Sequence, residues 1–120
     1  MANIKKFDYI RTAPVIEAYG QKYPIPTKTA ALVDGVAEIQ KKLVACKNTV
    51  EVVQTTKQGL ALFIGEEEVN RIFTAPDDQI DTDELSALWL MFNEESNRAT
   101  REVVAKYTPK PIATTVTKIK

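Results

Sequence analysis

Apolar positions recur at three- and four-residue steps along most of this chain, and the clearest run begins at Ile80-Asp81-Thr82-Asp83-Glu84-Leu85. From there to Tyr107, Leu85, Leu88, Trp89, Phe92, Ser96, Ala99 and Val103 fall on one helical face. The start carries its own punctuation. Asp81 is placed to cap the free backbone N–H groups, and Glu84 to reach back as in a capping box. Ile80 and Leu85 occupy the two positions of a hydrophobic staple, and Asp83 adds negative charge at the positive end of the helix dipole. A second amphipathic run, Leu32, Val36, Ile39, Leu43 and Cys46, predicts a helix over Thr29–Lys47, entered through Thr27 or Thr29 as cap. Gly35 weakens that helix by roughly 1 kcal/mol relative to alanine and points to a closely packed neighbour.

The segments before and between these runs read differently. Residues 1–12 hold only scattered apolar positions and suit an edge strand or a loose arm. Val15 to Tyr19 and Lys22 to Ile25 are rich in strand formers, and Gly20-Gln21 between them predicts a two-residue hairpin loop of type II′. Pro14 and Pro24 keep this ribbon short. So small a hairpin is marginal alone and needs helices, or another subunit, to pack against. Thr49 to Ile64 supports two readings. Propensity in Thr49-Val50-Glu51-Val52-Val53-Gln54-Thr55-Thr56 favours a strand, with a turn at Lys57-Gln58-Gly59. The helical alternative places Val53, Thr56, Leu60, Phe63 and Ile64 on one face, stops at Gly65, and continues in a short acidic helical turn from Glu66 to Phe73. Ala75-Pro76-Asp77-Asp78 is a turn.

The expected fold is therefore α+β and mostly α, an N-terminal hairpin followed by about three helices, in one domain over residues 1–107. Residues 108–120, opening on Thr108-Pro109-Lys110-Pro111, are expected to form a flexible basic tail.

Composition narrows the chemistry. The chain has no histidine and a single cysteine, Cys46, which fits a small core residue and excludes a disulfide framework or a cysteine-based metal site. Glu94-Glu95 and Glu66-Glu67-Glu68 are the adjacent carboxylates, and neighbours on a helix diverge, as solvated faces do. Asp77, Asp78, Asp81 and Asp83 are accounted for by a turn and a cap without a cation. Phosphate-loop, nucleophile-elbow and calcium-loop spacings are missing. The expectation is a protein that is not an enzyme, with no catalytic residue, metal or cofactor.

Sixteen basic and sixteen acidic residues cancel, so no global field draws the chain to nucleic acid or to an anionic membrane. The signs are nevertheless segregated: Glu66–Glu84 holds eight acidic residues against Arg71, and Arg98–Lys120 six basic residues against Glu102. Two solvated surfaces account for this. So does an acidic face meeting a basic one on another copy, and a homo-oligomer is expected. No apolar run approaches the roughly 18 residues of a membrane span, and Met1 to Lys6 lacks the core of a signal peptide. The expected location is the cytoplasm.

The order of segments carries a resemblance. A hairpin around Tyr19-Gly20-Gln21-Lys22-Tyr23 leads into a charged amphipathic helix. Phe63-Ile64-Gly65-Glu66-Glu67-Glu68-Val69-Asn70-Arg71-Ile72-Phe73 follows, then an Asp-rich turn, Ile80 to Leu85 and a closing helix. This order, over about Lys5 to Tyr107, resembles the small tail assembly chaperones of long-tailed bacteriophages and prophages. The break reads Gly65-Glu66-Glu67, without the second glycine of the family's pattern, and residues 108–120 match no part of it. The resemblance implies a mostly helical fold, with Thr49 to Ile64 helical. It also implies self-association in the host cytoplasm and a non-enzymatic role: coating the tape measure protein before the tail tube polymerises around it. The alternative is a small phage-encoded inhibitor of one host protein. For either, the expected partner-binding residues are Trp89, Leu90, Met91 and Phe92, because Leu90 and Met91 widen the apolar surface beyond the inward stripe.

Overall fold

The computed structural model describes residues 13–107 together with Phe7 and Tyr9. Two strands, β1 (Val15–Ala18) and β2 (Gln21–Pro24), precede α1 (Ala30–Ala45), α2 (Thr49–Ile64), α3 (Glu66–Ile72) and α4 (Thr82–Tyr107), with a 3-10 turn at Asp77–Gln79. The α+β, helix-dominated architecture is as the periodicity predicts. The expected tail at 108–120 and most of the expected arm lie outside the described residues.

The hairpin loop is one residue earlier than its glycine suggested. β1 and β2 pair antiparallel with Ile16 opposite Tyr23 and Ala18 opposite Gln21, which leaves Tyr19 and Gly20 as the loop. Both have positive φ, +54° and +75°, as a type I′ turn requires, whereas a II′ turn places only its first residue there. This register puts Ile16 and Tyr23 side by side on the buried face. A non-glycine residue at Tyr19 costs roughly 1–2 kcal/mol. Its ring is held against the body: the hydroxyl donates to Glu84 Oε2 at 2.7 Å, and the ring meets Phe73 edge-on at 6.3 Å.

Each long helix opens on a side-chain cap. Thr29 Oγ1 accepts from Leu32 N at 3.1 Å, and Asn48 Oδ1 from Glu51 N at 2.9 Å. Asp81 Oδ1 accepts from Asp83 N and Glu84 N at 2.9 and 3.1 Å. Ile80 and Leu85 are both buried, as a staple requires. Glu84, read from the sequence as the reciprocal arm of a capping box, takes the Tyr19 hydroxyl. The box-like geometry is found at α2, where Glu51 Oε1 accepts from Lys47 N at 2.8 Å. With that start, Thr49 to Ile64 is helical despite its β-branched composition, and the strand reading falls. Gly65, at φ +93°, breaks the chain direction between α2 and α3.

α2 is the central element. Leu60 is fully buried and Val53 2 % exposed, between α1 on one flank and α3 and α4 on the other. Two glycines set its distances. A Cβ on Gly35 of α1 would lie 3.1 Å from Leu62 Cδ1, the close neighbour the sequence pointed to. A Cβ on Gly59 would lie 2.5 Å from Trp89 Cζ3 and 3.0 Å from Ile39 Cγ2, so the indole of α4 rests directly on the α2 backbone. Phe63 completes this centre, 6.1 Å from the Trp89 ring and 5.4 Å from Phe92. Cys46, expected in the core, is only half-buried at the C-cap of α1, its thiol donating to Lys42 O at 3.2 Å. The helix ends there, so the last position of the apolar stripe faces partly outward.

Candidate partner-binding surface

Tyr23 and α3 bind the hairpin to the helical body. The Tyr23 hydroxyl donates to Glu68 Oε1 at 2.7 Å and accepts from Arg71 Nη2 at 2.9 Å, while Arg71 also clasps Glu68. Burial and then the Glu68 hydrogen bond raise the Tyr23 hydroxyl, and Arg71 followed by Tyr23 holds the Glu68 carboxyl below its ordinary range. At the turn, burial and then Glu84 push Tyr19 from 10.0 up to about 12. The hairpin that sequence reasoning found marginal is anchored within its own chain.

The charged surface of α4 is also internally matched. Arg98 pairs with Glu95 and Glu102 at 2.5 Å each, and Arg101 with Glu94 at 2.9 Å. In the acidic segment, Asp77 pairs with Lys57 at 2.8 Å and Glu68 with Arg71 at 2.9 Å. Opposed surfaces of single sign, as an acidic-to-basic contact between copies would need, are thus partly neutralised locally. Glu94 lies on the solvated face expected of it, whereas Glu95 is half-buried against Arg98.

The four expected partner-contact residues divide into two pairs. Trp89 is 7 % exposed and Phe92 fully buried; they belong to the core on α2, which corrects their assignment to a contact surface. Both lie on the stripe with Leu85 and Leu88, where the helical period carries them inward. Leu90 and Met91 are 64 % and 49 % exposed and point away from that stripe. Neither the hairpin nor α2 covers them. With exposed Ala87 one turn earlier, they form a small apolar ridge on the outer side of α4.

A second apolar feature was not read from the sequence. α1 and α4 both pack on α2 and leave a furrow between them, floored by Phe63 and Leu32 and walled by Val36, Ala37 and Asn93, with a volume of about 250 Å³. Further along α4, a depression of about 280 Å³ lies among Ile25, Pro26, Ala99, Thr100, Val103 and Val104. Periodicity on one helix cannot reveal such a feature, because its walls come from segments more than fifty residues apart. Exposed Phe7 and Tyr9 stack at 6.2 Å, and Tyr107 meets them at 5.5 and 5.9 Å near the end of α4.

Among the described residues no three histidine, cysteine or acidic side chains come together in a geometry that could hold a metal ion. No helix of the described residues is long and apolar enough to cross a membrane. No protein-family model, curated protein or solved structure matches the chain. The arrangement offers apolar surface bordered by amides and charged pairs, which suits protein contact.

Proposed function

We propose that this chain is a non-enzymatic assembly chaperone of the phage-tail type, which holds an apolar, elongated tape measure protein until tube protein replaces it. The observation that carries the reading is the exposure of Leu90 and Met91 on a helix whose core stripe is already filled by Leu85, Leu88, Trp89 and Phe92. Side by side on the outer face with Ala87, Leu90 and Met91 form contiguous apolar surface that the core of the helix does not use. Methionine's flexible, polarisable side chain accommodates varied apolar segments. The order of segments described above supplies the identity of the partner, and the host cytoplasm as the place of action.

The test is co-expression with a tape measure protein of a long-tailed phage. The wild type is expected to keep that protein soluble and to co-purify with it. Leu90→Asp and Met91→Asp are expected to lose both effects while melting within a few degrees of wild type. Co-purification undiminished in both variants would reject the ridge as the contact. An insoluble tape measure protein in the presence of wild type would reject the function. Self-association belongs to the same proposal, and light scattering that reports only monomer at high concentration and low salt would remove it.

A further inference from the structure

The furrow between α1 and α4 and the depression beyond it are two halves of one groove, divided by a single side chain. Lys28 lines both. Its Nζ crosses to α4 and donates to Asn97 Oδ1 at 3.0 Å and to Thr100 Oγ1 at 2.9 Å. Ser96 is the other residue common to both halves and lies beneath this crossing. From Asn93 to Val104 the groove follows α4 for about three turns, or roughly 16 Å.

What sets the lining apart is its scarcity of charge, and Lys28 differs from the other lysines without a carboxylate in lying across an apolar groove. In a chain with 27 % charged residues, Lys28 is the one charged side chain lining either half, among the described residues. Lys57, Arg71, Arg98 and Arg101 each meet a carboxylate. Among the described residues Lys28 meets a neutral amide and a neutral hydroxyl, both at the surface, and no carboxylate. Those bonds are weak compared with a charge-assisted pair to a carboxylate, so an acidic side chain arriving from outside would take the ammonium from them.

We propose that this groove is a docking site for an amphipathic helix of a partner protein, with apolar anchors in the two halves and a carboxylate opposite Lys28. The spacing of the halves along α4 matches anchors one to two turns apart, the usual pattern for a helix lying in a groove. The chain's own residues 108–120 do not fit, because they carry three lysines and no acidic side chain, and Tyr9, which lines the outer half, forms part of its wall, beside which a partner's anchor would pack. The assignment rests on the reading that the chain holds an apolar protein segment. It locates that contact, or a second one, beside the Leu90–Met91 ridge and adds a charge rule for the partner.

The experiment uses fluorescein-labelled helical peptides of about five turns, with leucine at successive i, i+4 and i+7 positions and either glutamate or lysine bordering the leucine face. Anisotropy titration of the full chain should show the glutamate peptide binding about tenfold more tightly than the lysine peptide, the size of one ion pair exchanged for a like-charge contact. Lys28→Glu should invert that order. Ala37→Arg, on the exposed wall of the furrow, should weaken both peptides at least tenfold with an unchanged melting temperature. Equal binding of the two peptides, or no response to either substitution, overturns the proposal. A wild-type dimer that Ala37→Arg dissolves would place a second copy in the groove and overturn it as well. Loss of tape measure binding in Leu90→Asp with peptide binding intact leaves the groove standing. Failure of tape measure binding in the wild type, with the peptide charge inversion observed, rejects the phage reading and keeps the groove.

Discussion

Replacing Gly59 by alanine sets two effects of opposite sign against each other, and the geometry decides between them. Alanine is better than glycine in a helix interior by roughly 1 kcal/mol, so propensity alone predicts a more stable protein. The new methyl, however, would lie 2.5 Å from Trp89 Cζ3, 2.8 Å from Cη2 and 3.0 Å from Ile39 Cγ2. Carbon atoms rest at about 3.5–4.0 Å, so the indole must retreat by about 1 Å. It has nowhere easy to go, being 7 % exposed with Phe63 packed edge-on against it. Overpacking of this kind costs typically 1–3 kcal/mol, so the net change is a loss of about 1 kcal/mol and up to about 2. For a body of this size that lowers the melting temperature by about 4–10 °C. Thermal and urea unfolding followed by far-UV circular dichroism measures it. Trp89 is the only tryptophan, so its fluorescence also reports the displaced ring in the native state. In a Trp89→Phe background the two shortest contacts are relieved and the tight one to Ile39 Cγ2 remains, so Gly59→Ala should cost less than in the wild type, a coupling of about 1 kcal/mol. A melting temperature at or above wild type for Gly59→Ala alone would refute the close approach of α4 to α2.

Gly35→Ala should go the other way: its contact is the end of the partly exposed Leu62 side chain, which need shift only a few tenths of an ångström, so a gain of up to about 1 kcal/mol is expected in the same unfolding assays. Asn48→Ala removes the cap of α2 and should cost about 1 kcal/mol, read by urea denaturation. The Tyr19 hydroxyl is raised from 10.0 to about 12, so it stabilises the fold fully below pH 10 and that contribution is lost as pH rises toward 12; Tyr19→Phe should flatten the alkaline limb of stability against pH in that window. Glu68, Asp77 and Glu95 are held below their ordinary values, chiefly by Arg71, Lys57 and Arg98, so their contribution is present above the unfolded carboxylate range and fades as pH falls below it. Acid titrations of Arg71→Met should show a shallower loss than wild type.

The two long amphipathic runs were legible because their apolar spacing and their caps agree. Thr29 and Asp81 cap as their positions suggest, and the stripes from Leu32 and from Leu85 are the buried faces of α1 and α4. α2 was not legible from propensity, because Val50, Val52, Val53, Thr55 and Thr56 are strand formers. What overrides them is tertiary: Val53, Thr56, Leu60 and Phe63 are buried together only on a helix. A local signal existed in Asn48 and Glu51, which have the same spacing as Asp81 and Glu84. The hairpin loop was misplaced by one residue because glycine marks where positive φ is easy. Tyr19 adopts it at a cost, and contacts from Glu84 and Phe73, distant in sequence, offset that cost.

The candidate surface was half legible for a related reason. A helical wheel distinguishes a stripe from its flanks, and Leu90 and Met91 lie outside the stripe in the sequence as in the fold. Grouping Trp89 and Phe92 with them confused adjacency along the chain with adjacency on the surface, since consecutive helical residues stand about 100° apart. The groove was beyond any such reading. Its floor is Phe63 of α2, its walls belong to α1 and α4, and its strap is Lys28 from the link between β2 and α1. What the sequence did contain was a lysine just ahead of a helix with no acidic residue within one helical turn. Arg71, Arg98 and Arg101 have carboxylates three, four or seven residues away, within reach on one helix. Lys28 precedes its helix, and the nearest acidic residues on either side of it in sequence are Glu17 and Asp34. A lysine held across an apolar groove by two neutral groups is a weaker solution than an ion pair. A partner that brings its own carboxylate resolves it.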